Sequence, residues 1–158
     1  REMRSFIEGD PEAVLMLEVR DQTEHGLEQK LASLLNLIVS KSKSYANPIL
    51  RGSRISDANQ LRKAGLGLLG NIVGDKKAVA CIEDTAVALS DLKPFIMEFS
   101  EIMKGYDQKA VYYAHAGAGE LHLRPILNLK DQSDVTLFRA ITTDVAHLTK
   151  KYQGSFSG

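Results

Sequence analysis

VYYAHAGAGELHLRPIL, Val111–Leu127, is the stretch on which the fold turns. Val111 to His115 and Glu120 to Leu127 read as two strands, and Ala116-Gly117-Ala118-Gly119 reads as the turn between them. A tight hairpin makes that part of a sheet antiparallel. Alternation along the second strand places Glu120, His122 and Arg124 on one face and points Leu121 and Leu123 into a core. His115 falls roughly opposite Glu120. Cross-strand and diagonal neighbours lie roughly 5–8 Å apart, so His115 and His122 converge on one face.

Outward from the hairpin, Lys77 to Glu83 reads as another strand and Glu12 to Arg20 as a first one, bounded by Asp10-Pro11 and Asp21. A helix is predicted from about Thr23, with Leu27, Leu31, Leu34, Leu35 and Ile38 on its buried face. SKSKSYANP breaks that pattern, Pro48 to Leu50 reads as a short extended piece, and Asp57 to Leu66 as a shorter helix. Ser90 or Asp91 is placed to cap a third helix that tolerates Pro94 in its first turn, buries Phe95, Phe99, Ile102 and Met103, and stops at Gly105. The last helix is expected from about Ser133 to Tyr152, with Leu137, Ile141, Val145 and Leu148 on one face and Gly154 ending it.

Strands and helices therefore alternate, with one hairpin inside the series. This order predicts the α+β class: a ferredoxin-like sandwich, its sheet largely antiparallel and its helices packed on one face. The 158 residues fit one ordinary domain, long enough to bury a core without disulfides or metal. Lysine plus arginine equals aspartate plus glutamate, which argues against nucleic acid as the main partner, since phosphate binding needs a basic excess. The lone cysteine, Cys81, sits in an apolar run and reads as a buried, inert thiol. No transmembrane segment or signal peptide is expected, and a cytosolic setting is favoured. The chain opens REMRSFIEGD, without an initiator methionine, and closes on KYQGSFSG, so both ends read as cuts through a longer protein.

Four motifs bear on chemistry. Gly65-Leu66-Gly67-Leu68-Leu69-Gly70 matches G-x-G-x-x-G in letters, but a dinucleotide site needs a strand before the first glycine. Here a helical segment precedes it, so a glycine-rich loop is the expectation. Glu83-Asp84 ends a predicted strand, where acids are more often turn formers or solvated groups than catalytic acids. Arg51, Arg54 and Arg62 offer guanidinium forks for an anion. The hairpin's two histidines are either a metal clamp or incidental members of a polar surface. By themselves they are too few for a catalytic site, which wants about three protein ligands and an open position.

His115-Ala-Gly117-Ala-Gly119-Glu120-Leu121-His122 resembles the H-x-G-x-G-[NE]-L-H signature of the FAD-linked oxidases, in their C-terminal, substrate-side domain. That family includes D-lactate and D-2-hydroxyglutarate dehydrogenases and glycolate oxidase subunits. Leu61-Arg62-Lys63, Ile82-Glu83-Asp84-Thr85-Ala86-Val87 and the run from Tyr152 to Gly158 resemble further family segments in order, so the likeness covers nearly the whole chain. Its flavour is that of long fusion proteins carrying a flavin module and an iron–sulfur module.

The resemblance implies that residues 1–158 are a partial C-terminal domain and that the FAD-binding module lies outside them. It implies a divalent metal, zinc by preference, on His115 and His122, with a third ligand, a glutamate, beyond Gly158. Arg62 falls where the family places a carboxylate-binding arginine, and Arg124 on the His122 face is a second candidate for the substrate anion. The implied substrate is a small D-2-hydroxy acid whose hydroxyl is polarised by the metal and whose hydride passes to flavin. The partner it implies is the flavin module of the same chain; a face meant for that module, left exposed, would also suit a second copy of this chain, and the charge balance already argues against nucleic acid. The expected setting is cytoplasmic, or membrane-peripheral in the intact protein. Leu66, Ile82 and Arg124 depart from the threonine, lysine and asparagine of the hydroxyglutarate-type enzymes, which predicts a different pocket. The rival reading is a non-catalytic ferredoxin-like module for small-ligand binding or oligomerisation.

Overall fold

The computed structural model describes residues 4–68 and 71–157. The chain divides into two compact units, Arg1–Leu66 and Gly67–Gly158.

In the first unit, helix α1 spans Glu24–Lys41. Its start follows from local chemistry: the Thr23 side chain accepts from the Gly26 N–H, and Glu24 lies in the first turn, where the helix dipole favours an acid. The predicted leucine stripe is only half-buried, and no residue of α1 is fully buried. Helix α2 spans Arg54–Leu68, longer at both ends than predicted. It runs through Gly65 and Gly67, so the expected glycine loop is helical there; Leu69 and Gly70 lie outside the described residues.

The predicted strand at Glu12–Arg20 does not form, and Pro48 to Leu50 has no regular structure either. Val14, Leu15, Met16 and Leu17 are exposed. The reason is that a strand is defined by its ladder partner, and every strand among the described residues belongs to the second unit. Composition can nominate a strand but cannot supply the partner.

The second unit is built on a sheet. The predicted strand at Lys77–Glu83 is two pieces, β1 at Lys77–Ala78 and β2 at Ile82–Ala86. A 3₁₀ turn at Leu89–Asp91 leads into α3, Leu92–Gly105. Neither predicted cap operates through its side chain: Asp91 is the N-cap residue but makes no capping bond. Strands β3, Ala110–His115, and β4, Glu120–Leu127, form the predicted hairpin. Helix α4 spans Gln132–Lys151, and the Asp131 side chain caps it by accepting from the Ser133 N–H. A last strand, β5 at Ser155–Ser157, falls where the sequence reading has only a turn-like end.

β4 pairs antiparallel with β3, β1 and β2, and β2 pairs antiparallel with β5. From β2 to β5 the order is β-α-β-β-α-β, the ferredoxin-like arrangement. Burial along β4 alternates strictly, with Leu121, Leu123, Pro125 and Leu127 inside. Leu121 and Leu123 meet Phe95, Phe99 and Met103 of α3 and Ile141, Val145 and Leu148 of α4 in one core, with Cys81 and Ile82. Cys81 is 5% exposed, buried as predicted, and burial pushes its thiol pKa up.

Two local features shape the hairpin and the strand beside it. At the hairpin tip Ala116–Ala118 form a 3₁₀ turn and Gly119 closes it at φ 74°. A side chain at Gly119 would strike the Val87 carbonyl, whereas a Cβ at Gly117 would meet open space. The second feature is a bulge in β2: it advances from Ile82 to Thr85 while β4 moves only from Leu123 to Leu121. One extra residue is thereby inserted opposite His122, and Asp84 takes it up at φ 49°, a left-handed conformation that aspartate tolerates better than most.

Candidate metal and anion site

The hairpin register is the predicted one: His115 opposite Glu120, Tyr113 opposite His122, Val111 opposite Arg124. These side chains share the sheet face turned away from α3 and α4, because their neighbours Leu121 and Leu123 fill the core beneath those helices. The His115 and His122 rings lie 5.4 Å apart, centroid to centroid, and Tyr113 packs against both, at 5.8 and 5.4 Å.

One donor atom from each of His115, Glu120 and His122 lies within 4.8 Å of the others. Imidazole nitrogens with a carboxylate oxygen are a zinc-type donor set. Acidic groups also gather here: Glu83, Asp84 and Glu120 all approach His122, and Arg124 pairs with Glu83. The donors thus fit a divalent ion. Strand alternation alone puts Glu120 on this face, but nothing in its sequence position marks it as a ligand.

Glu83 is the residue whose part the sequence hid. It lies inside β2 rather than at a strand end. Its Oε2 is 2.8 Å from His122 Nδ1, and Arg124 donates to both its oxygens, Nε to Oε1 at 2.7 Å and Nη2 to Oε2 at 3.2 Å. All three side chains are largely shielded, 12% exposed for His122, 18% for Arg124 and 23% for Glu83. Burial works to raise the Glu83 pKa, but Arg124 and then His122 outweigh it and hold the carboxyl below its usual range. The same bond raises the Arg124 pKa. Asp84 Oδ1 stands farther from Nδ1, at 3.5 Å, and is mostly exposed.

Of the four site residues expected from the sequence, the fold brings His115, His122 and Arg124 onto one face. Arg62 lies on α2, in the other unit, with its side chain exposed. Arg51, another of the candidate guanidinium forks, forms a two-pronged pair with Glu28 of α1.

The sheet, with α3 and α4 on one face and imidazoles and carboxylates gathered on the other, defines an α+β domain of ferredoxin-like arrangement. The chain belongs to the family described as FAD linked oxidases, C-terminal domain, which it matches over residues 2–158. Among curated proteins it is similar to a D-2-hydroxyglutarate dehydrogenase of Haemophilus influenzae, 32% identical over 149 residues, which is 90% of this chain and 14% of that protein. The enzymes of that name from Pseudomonas putida and Escherichia coli are 39% and 37% identical over 98 residues, 62% of this chain and 10% of each. The chain thus spans about a seventh or less of the length of these relatives.

Proposed function

We propose that this chain is the substrate- and metal-holding part of an FAD-dependent oxidoreductase that oxidises a small D-2-hydroxy acid of the lactate, glycolate or 2-hydroxyglutarate class. The observation that carries the reading is the His115–Glu120–His122 cluster on the hairpin, in a chain of this family. Flavin would be bound by another module of the same protein and would supply the hydride acceptor. The relatives' much greater length leaves room for that module and for iron–sulfur clusters.

A divalent ion, zinc by its donor set, would supply Lewis-acid polarisation of the substrate hydroxyl. The chain's own residues would do the rest. His115 and His122 hold the ion from facing strands. Glu120 is one source of a third ligand. A glutamate beyond Gly158 is the other, and the pairing of Ser157 with Glu83 supports it, because β5 runs toward the side chain that touches His122. Arg124 and Arg62 are the candidate binders of the substrate carboxylate. Arg124 would share its guanidinium between substrate and Glu83, and its five donors permit that.

Replacing His115 and His122 together with alanine in the full-length protein tests the reading. The expected result is loss of bound metal, measured by elemental analysis, together with loss of hydroxy-acid oxidation while the flavin spectrum persists. Full activity in the double variant would remove the metal role.

A further inference from the structure

We propose that Glu83 is the positioning residue of this site: it fixes His122 in the Nδ1–H tautomer, so that Nε2 is presented to the ion. This role rests on the metal reading and deepens it.

A carboxylate oxygen is an acceptor only, so a neutral imidazole 2.8 Å from Glu83 Oε2 through Nδ1 must carry its proton there. Its lone pair then sits on Nε2, the nitrogen turned toward Glu120 Oε1 at 3.8 Å. A carboxylate behind a ligating histidine sets the ring's orientation and makes the other nitrogen a better donor. Glu83 cannot swing away, because Arg124 holds both its oxygens. That guanidinium also offsets the carboxylate's charge, so Glu83 acts as a hydrogen-bond acceptor more than as a competing anion.

The backbone points the same way. In a regular ladder side chains alternate faces, and two successive residues of β2 could not both address His122. The bulge between Ile82 and Thr85 puts both Glu83 and Asp84 against His122 Nδ1, at 2.8 and 3.5 Å. Bulges re-aim side chains in this way beside active sites. Glu83 takes the bonded place and Asp84 the outer one.

The test is made on the whole chain. Long-range ¹H–¹⁵N correlation spectra of the metal-free protein report the His122 tautomer, and competition against a chromophoric chelator reports zinc affinity. The wild-type chain should show His122 as Nδ1–H. Glu83→Ala should mix the tautomers and weaken zinc binding about 10- to 100-fold. Glu83→Gln keeps an acceptor oxygen and should recover the Nδ1–H form and most of the affinity. An Nε2–H form in the wild-type chain overturns the proposal and needs no variant to fold. So does a Glu83→Ala protein with unchanged tautomer and zinc affinity. Failure of the metal reading looks different: zinc binding would survive His115→Ala and His122→Ala, and the tautomer alone would then decide the place of Glu83.

Discussion

Gly119 shows how much a single residue decides here. It sits at φ 74°, and its carbonyl accepts from the Val87 N–H at 3.0 Å. A Cβ there would overlap the Val87 carbonyl oxygen. Gly119→Ala therefore combines the left-handed penalty of about 1–2 kcal/mol with a backbone clash that no rotamer relieves. Urea denaturation should show a loss larger than that penalty, and a variant as stable as wild type would contradict the geometry. At this scale the sequence is informative wherever a residue acts through its own strand. His115, His122 and Glu120 can be placed on one face by alternation alone. Glu83 cannot, because its meaning depends on β2 lying beside β4 and on an extra residue in that ladder, neither of which leaves a local trace.

At the scale of elements, legibility follows whether a pattern needs a distant partner. α3 and α4 are readable from their apolar stripes, and Phe95, Phe99, Ile141 and Val145 are fully buried as that reading requires. Glu12–Arg20 and β5 fail in opposite directions. One has a strand's composition without a ladder, and the other is a serine-rich run that becomes a strand only by pairing with β2. Helix α4 is tied to α3 near that junction: Tyr152 donates to Glu98 at 2.6 Å, and Lys151 bonds the same carboxylate. The Glu98 bond, with some help from burial, pushes the Tyr152 pKa up to about 12. An unfolded tyrosine titrates near 10. Because the folded form holds its proton more tightly, this stabilisation is complete below about pH 10 and fades as pH rises toward 12. Stability curves should decline over that window in wild type and decline less in Tyr152→Phe, with phenolate absorbance marking the midpoint.

Across the whole molecule, burial is distributed unevenly. The core that joins sheet and helices lies in Gly67–Gly158, while α1 of Arg1–Leu66 buries no residue fully. Opening free energies follow buried apolar contact. Hydrogen exchange followed by mass spectrometry should find the α1 amides exchanging faster than those of α3 and α4. Equal protection in all three would contradict this picture. The α+β class and the antiparallel hairpin are legible because one short turn between two strands forces both. The division into two units is not, since the leucine pattern of α1 says that it has an apolar face and not how deeply that face is covered.

The hairpin tip has a practical consequence. Gly117 carries no positive φ and has open space around its Cα, and Cys81, the chain's lone thiol, is buried. A Gly117→Cys protein would offer one accessible thiol, two residues from His115. A maleimide fluorophore placed there would be quenched or brightened by whatever the histidines capture, turning the loop into an optical readout of occupancy.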